Sequence, residues 1–173
     1  MTGKVYNVLF LCTGNSARSI MAESLINFWG KGQFHGFSAG SHPTGTVNPL
    51  ALELLNRLNM PTEGLRSKSW DKFAAPRAPR MDFVFTVCDK AGAETCPVWP
   101  GQPMTAHWGV PDPAMVEADE VKRMQAFRQA FRELENRIKT FTSLPIGEID
   151  VLRLQQQLDE IGKNQLQEDA LVD

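Results

Sequence analysis

A chain of 173 residues is ample for one hydrophobic core and short for two, so one domain with an appendage is the default. A formal net charge of -2 argues against a nucleic-acid or membrane-surface protein, and no apolar run approaches bilayer length. Three cysteines, an odd number, fit reactive thiols in a reducing compartment better than a structural disulfide framework. The N-terminus shows one Lys before a short apolar run and no small-residue cleavage site, so no secretory signal is expected and the cytoplasm is the simplest location.

Val5 to Leu11 is apolar but for Asn7, the pattern of a strand buried on both faces. Directly after it comes Cys12-Thr13-Gly14-Asn15-Ser16-Ala17-Arg18, with Ser19 next, and then a helix from about Ser19 to Trp29 closed by Gly30 and Gly32. A thiol and a guanidinium at the two ends of a tight polar loop suit an oxyanion. The backbone N–H groups from Thr13 to Ser19 can converge on phosphate or a tetrahedral mimic at the helix start, and Arg18 adds a planar fork that binds two oxygens at once. In that positive field Cys12 is expected to be a thiolate and a nucleophile. Most free cysteines after a strand are buried small hydrophobes; the Gly, the Asn, the Ser available to cap the helix and the strand-to-helix setting favour the chemical reading here.

Phe34 to Ala39 reads as a second strand, ended by Gly40-Ser41-His42-Pro43. Val47, Leu50, Leu54 and Leu58 recur at helical spacing until Asn59-Met60-Pro61 stops them. Phe83 to Val87 is a third strand that delivers Cys88 to its C-terminal end. A loop with Gly92, Pro97, Pro100, Gly101 and Pro103 follows, then a short strand near Met104 to His107. Val121, Met124, Phe127, Phe131, Leu134, Ile138 and Phe141 mark the longest helix.

Strands alternating with helices predict an α/β fold: a three-layer αβα sandwich around a mostly parallel four-stranded sheet, in a domain over residues 1–142. Ligands in such folds bind beyond the carboxyl ends of the strands, where Cys12, Cys88 and Asp112 should meet. Residues 143–173 form a C-terminal helical extension, with Val151, Leu154, Leu158 and Ile161 on one side of a helix and an acidic, frayed end from Gln165. By pattern alone that helix either packs back on the domain or serves a partner or a second copy, as a monomer or a weak dimer.

Cys12 to Ser19, Met21-Ala22-Glu23, Ser38-Ala39-Gly40 and Asp112-Pro113 together resemble the low-molecular-weight protein tyrosine phosphatase family. Cys88, Cys96 with Pro97, and His107-Trp108-Gly109 ahead of Asp112-Pro113-Ala114 are similar to its arsenate reductase branch. The resemblance runs from about Val5 to Phe141. It implies that Cys12 attacks a bound arsenate, that Arg18 and the loop amides hold the oxygens, and that Asp112 protonates the leaving oxygen. It implies a three-cysteine relay, in which Cys88 attacks Cys12 to release arsenite and Cys96 carries the oxidation outwards to a thioredoxin or glutaredoxin-type reductant. No tightly bound cofactor is expected beyond this thiol donor, with phosphate or sulfate as mimics of the substrate. In some arsenate reductases a potassium ion lies nearby, and Asn15, Glu23, Ser38 and Asp71 stand at the matching positions. His107 and Trp108 are expected to be buried and to support the Asp112 loop.

Two other functions stay open on the residues. A true tyrosine phosphatase would share the cradle and the acid, but Ala114-Met115-Val116 follows Asp112-Pro113 where aromatic residues would grip a phenol ring, and Tyr6 is the single tyrosine. A non-catalytic module could hold arsenite, zinc or another soft metal on Cys12, Cys88 and Cys96, and a separate structural reading makes Cys88 and Cys96 half of a zinc site with His107. Such a module would need neither Arg18 nor Asp112.

Overall fold

The structure, a computed structural model, describes residues 4–89, 91, 97 and 99–163. Four strands, β1 (Tyr6–Cys12), β2 (Phe34–Gly40), β3 (Phe83–Thr86) and β4 (Met104–His107), form one sheet in the order β2-β1-β3-β4. Every pairing is parallel, with Phe10 opposite Ser38 and Phe85, and Thr86 opposite His107. Val8 to Leu11 of central β1 are without exposed surface on either side, which is why the run is apolar at every position rather than at alternate ones.

The helices are α1 (Arg18–Trp29), α2 (Pro49–Arg57), the single turn α3 (Asp71–Ala74), α4 (Glu120–Thr142) and α5 (Val151–Lys163). On one face of the sheet Val8 and Phe10 pack with Ile20, Met21 and Leu25 of α1, the Met124-to-Phe141 stripe of α4, and Leu154, Leu158 and Ile161 of α5. On the other face Leu9, Leu11 and Val84 meet Phe73 of α3, Met81 and Trp99. The αβα sandwich with its C-terminal helix is thus the arrangement expected from the pattern. The four-residue α3 was not expected, because one turn is too short to show a period.

Helix α5 packs back on the domain, so of the two readings of its stripe the intramolecular one describes this structure. Gln155 donates to the Thr105 carbonyl of β4 at 2.8 Å, and the Trp108 indole N–H donates to the Leu158 carbonyl at 3.0 Å. A Cβ on Gly162 would lie 2.2 Å from the His107 carbonyl oxygen, so only glycine lets the helix sit this close. Val151, placed on the apolar stripe by spacing, is instead exposed at the first turn.

Candidate active site

The loop from Cys12 to Ala17 connects the end of β1 to α1. Helix α1 begins at Arg18, and its N-cap is Ala17 with no side-chain hydrogen bond, so the expected serine cap does not form. Ser19 turns inward and accepts from Asn15 Nδ2 at 2.7 Å. An α-helix start carries several N–H groups without an intrahelical partner, and here no side chain caps them. Asn15 holds the left-handed turn (φ 46°) that curls the loop. Gly40, at the end of β2, lets it close, since a Cβ there would sit 2.5 Å from the Thr13 carbonyl oxygen.

A strap over residues 67–70, unforeseen from the sequence, fastens the loop from behind. Ser67 Oγ donates to the Gly14 carbonyl at 3.2 Å, and the Lys68 N–H donates to Asn15 Oδ1 at 2.9 Å. Gly40 N–H donates to the Lys68 carbonyl, and Trp70 N–H to the Gly40 carbonyl. Such side-chain bonds lie 53 residues apart in sequence, so no local spacing announces them.

Arg18 reaches across the cradle. Its Nη1 donates to the Val110 carbonyl at 2.9 Å, and its Nη2 lies 3.4 Å from Asp112 Oδ2. Asp112 also caps the short turn at Pro113–Met115, accepting from Ala114 N–H at 3.0 Å. The capping role and the catalytic one are therefore compatible: one carboxylate oxygen is fixed by the turn and the other faces Arg18. Cys12, Thr13, Arg18, Cys88 and Asp112 all line one cavity of about 590 Å³. Thr13, Gly14, Ser16 and Ala17 also line it, whereas Asn15 and Ser19 are buried behind it.

The loop that carries Asp112 is held from three sides. Trp108 is fully buried and stacked on Phe85 with ring centroids 3.8 Å apart. Arg137 of α4, itself buried, donates to the carbonyls of Trp108 and Gly109 at 2.7 and 2.9 Å. Helix α5 supplies the third contact through Leu158. His107 departs from expectation: it is half exposed, joins Thr86 Oγ1 at 2.6 Å and Asp89 Oδ1 at 2.7 Å, and so clasps the segment after Cys88 rather than the acid loop.

Cys12 and Cys88 are both buried free thiols. Their sulfurs are hydrogen-bonded to each other, and Cys88 Sγ also accepts from Thr13 N–H at 3.3 Å and Ala91 N–H at 3.4 Å, with Thr13 Oγ1 at 3.6 Å. Two sulfurs this close share one easily lost proton. The bond from Cys12, followed by those from Thr13 and Ala91, outweighs burial and brings Cys88 down to about 5. Cys12 moves upward, chiefly through the bond to Cys88 and burial, although Arg18 pulls it down. The pair therefore titrates as one unit, with a single easily lost proton between Cys12 and Cys88. Arg18 is one positive group, while Cys88 is surrounded by three donors.

Cys96 lies outside the described residues. Of the four residues matched to a potassium site, Ser38 Oγ donates to Glu23 Oε1 at 2.5 Å, Asn15 stands under the loop, and Asp71 is exposed on α3. The carboxylate of Glu23 lies 3.8 Å from Lys68 Nζ. Among the described residues no group of three or more His, Cys, Asp or Glu is placed to hold a metal ion, which gives no support to the zinc reading of Cys88 with His107. No helix among them is long and apolar enough to cross a membrane.

Residues 7–158 match the family described as low molecular weight phosphotyrosine protein phosphatase. An arsenate reductase of Halalkalibacterium halodurans is 36% identical over 138 residues, covering 78% of this chain and 93% of its own length. One of Bacillus cereus strain Q1 is 38% identical over 140 residues, covering 78% and 92%. Among solved structures, the arsenate reductase of Archaeoglobus fulgidus superposes with a TM-score of 0.62 at 26% identity, over 79% of this chain and 99% of that one.

Proposed function

The chain belongs to the low molecular weight phosphotyrosine protein phosphatase family, and we propose that it acts as an arsenate reductase whose first two steps run on Cys12 and Cys88. The observation that carries this reading is the sulfur pair: a second free thiol, hydrogen-bonded to the nucleophile and lining the same cavity. Hydrolysis of a phospho-cysteine needs no such partner. Reduction does.

Arsenate enters the cradle with its oxygens on the loop N–H groups and on Arg18, which turns part of its charge from Asp112 to the substrate. In the reacting form Arg18 holds the charge on Cys12 and the shared proton lies on Cys88. Cys12 Sγ attacks arsenic, an S–As bond forms, and the As–O bond opposite breaks. Asp112, released from Arg18, takes a proton from another hydroxyl of the dihydrogen arsenate and passes it to the departing hydroxide, which leaves as water. Cys88 then gives up its proton to the oxyanion and attacks Cys12 Sγ. An S–S bond forms, the S–As bond breaks, and its electron pair stays on arsenic, which departs as arsenite after taking further protons from water. Two thiols are oxidised and arsenic(V) becomes arsenic(III), so the electrons balance.

Cys96 is assigned the last intramolecular step, exchange with the Cys12–Cys88 disulfide, which leaves a Cys88–Cys96 bridge for an external dithiol donor of the thioredoxin or glutaredoxin type. A structure titled as a thioredoxin-dependent arsenate reductase of Corynebacterium glutamicum shares the fold at a TM-score of 0.54. The same cradle and acid also support slow hydrolysis of phosphate monoesters. Exposed Met115 in place of an aromatic ring beside Asp112 disfavours phosphotyrosine as the main substrate.

The test is arsenite formation with a reduced dithiol donor. Wild type turns over repeatedly, Cys12→Ala gives none, and Cys88→Ala gives none while keeping phosphate-ester hydrolysis. Full arsenate turnover by Cys88→Ala would overturn the reading. Arsenite binding without turnover by any form would favour the metalloid-binding module instead.

A further inference from the structure

The resemblance implies a potassium ion on Asn15, Glu23, Ser38 and Asp71, and these residues do not fit one here. Asp71 is exposed on α3, and its backbone N–H is turned to Ser69 Oγ at 3.1 Å. The other three are already tied to one residue, Lys68: Glu23 by its side chain, Asn15 by its backbone and Ser38 through Glu23. Lys68 Nζ lies 3.8 Å from Glu23 Oε1, the oxygen that also takes the Ser38 hydroxyl, and the Lys68 backbone N–H holds Asn15 Oδ1. The ammonium donates further to the Arg66 carbonyl at 2.8 Å. Its side chain is 10% exposed and that of Glu23 13%.

An ammonium and an alkali ion offer the same thing to such a set, a single compact positive charge taken up by carboxylate, hydroxyl and carbonyl oxygens. We propose that the Lys68 ammonium is the resident monovalent cation of the anion loop, seated on Glu23, to which Ser38 also donates, so that oxyanion binding needs no added potassium. Burial works against both partners, lifting the Glu23 carboxyl and lowering the Lys68 ammonium, and each offsets the other's cost. Arg66 and Lys72 add repulsion that Lys68 alone among them is placed to satisfy on Glu23. Lys68 thereby ties two things together. Its main chain fixes Asn15, on whose left-handed turn the loop curls, and its side chain fixes Glu23 on α1, at the other end of that loop. It is a positioning residue, not one that touches the substrate.

The proposal rests on the cradle being an oxyanion site, and inorganic phosphate is the probe. Phosphate affinity by calorimetry, with thermal stability alongside, is compared in potassium chloride and choline chloride at one ionic strength. Wild type should bind phosphate equally in both. Lys68→Ala opens the seat, which borders a surface cavity of about 650 Å³, so its phosphate Kd should rise about 10-fold in choline, as loss of an orienting partner typically does. Potassium or methylammonium should then restore it. Lys68→Met fills the same space without charge and should bind weakly in every salt. Wild-type affinity or stability that responds to potassium over choline overturns the proposal, as does Lys68→Ala that binds normally in choline or is not restored by either cation. Should Lys68→Ala not fold, the wild-type comparison and Lys68→Met decide. Phosphate that fails to bind wild type in any salt overturns the cradle reading itself.

Discussion

Replacing Cys12 by Ala removes the largest single cause that holds Cys88 down, the hydrogen bond from the Cys12 thiol. What remains is burial, which raises Cys88, against the Thr13 hydroxyl and the N–H groups of Ala91 and Thr13, which lower it. A hydrogen bond to a charged group is worth about 1.5–3 kcal/mol, which converts to a shift of roughly one to two pH units. Titration of Cys88 should therefore move from about 5 into the range of about 6 to 7 in Cys12→Ala. The assay is iodoacetamide labelling across pH, read by mass spectrometry so that each sulfur is followed separately. In wild type one sulfur of the pair should label with a midpoint near pH 5, well below the ordinary thiol range. In Cys88→Ala the reciprocal effect should appear, with Cys12 titrating well below its wild-type position, because the bond that raises it most is gone while Arg18 remains. A Cys88 midpoint that does not move in Cys12→Ala, or a wild-type pair without any thiol acid in this range, would refute the shared-proton argument.

Arg18→Ala should raise the Kd for phosphate by about 100-fold or more, since two charge-assisted bonds at the lower end of their range sum to about 3 kcal/mol; calorimetry measures it. The thiol pair also predicts that stability rises with pH. Cys88 loses its proton near 5 when folded and near its ordinary 9.0 when unfolded, so its contribution is complete above 9.0 and is lost as pH falls through 5. Thermal melts at pH 6 and pH 8 should show a rise in wild type that shrinks in Cys88→Ala. Gly162→Ala should destabilise by about 1–3 kcal/mol through overpacking of α5 against the His107 carbonyl, which denaturant unfolding would detect.

The central parts of this fold are legible because they obey local periods. Val8 to Leu11 of β1 and Phe83 to Phe85 of β3 are uniformly apolar since both faces are covered, α4 repeats its apolar residues every three or four positions, and the loop carries its thiol and its arginine within seven residues. Less local devices leave no such trace. The Ser67–Lys68 strap joins the loop across more than fifty residues, and its lysine looks like any solvated cation until burial and Glu23 are seen. Arg137 reads as a charge on a long amphipathic helix, yet it is buried and holds the backbone ahead of Asp112. The partners of the second sulfur stay hidden for the same reason. Sequence puts Arg18 near Cys12, but only the fold brings Thr13 and Ala91 to the sulfur of Cys88.

Mass spectrometry of a Cys96→Ser protein after one arsenate equivalent, with no reductant present, tests the chemistry most directly. The reaction should stop with one arsenite released per chain and a Cys12–Cys88 disulfide in every reacted molecule. Arsenite released with both sulfurs still alkylatable, or no arsenite at all, would contradict it.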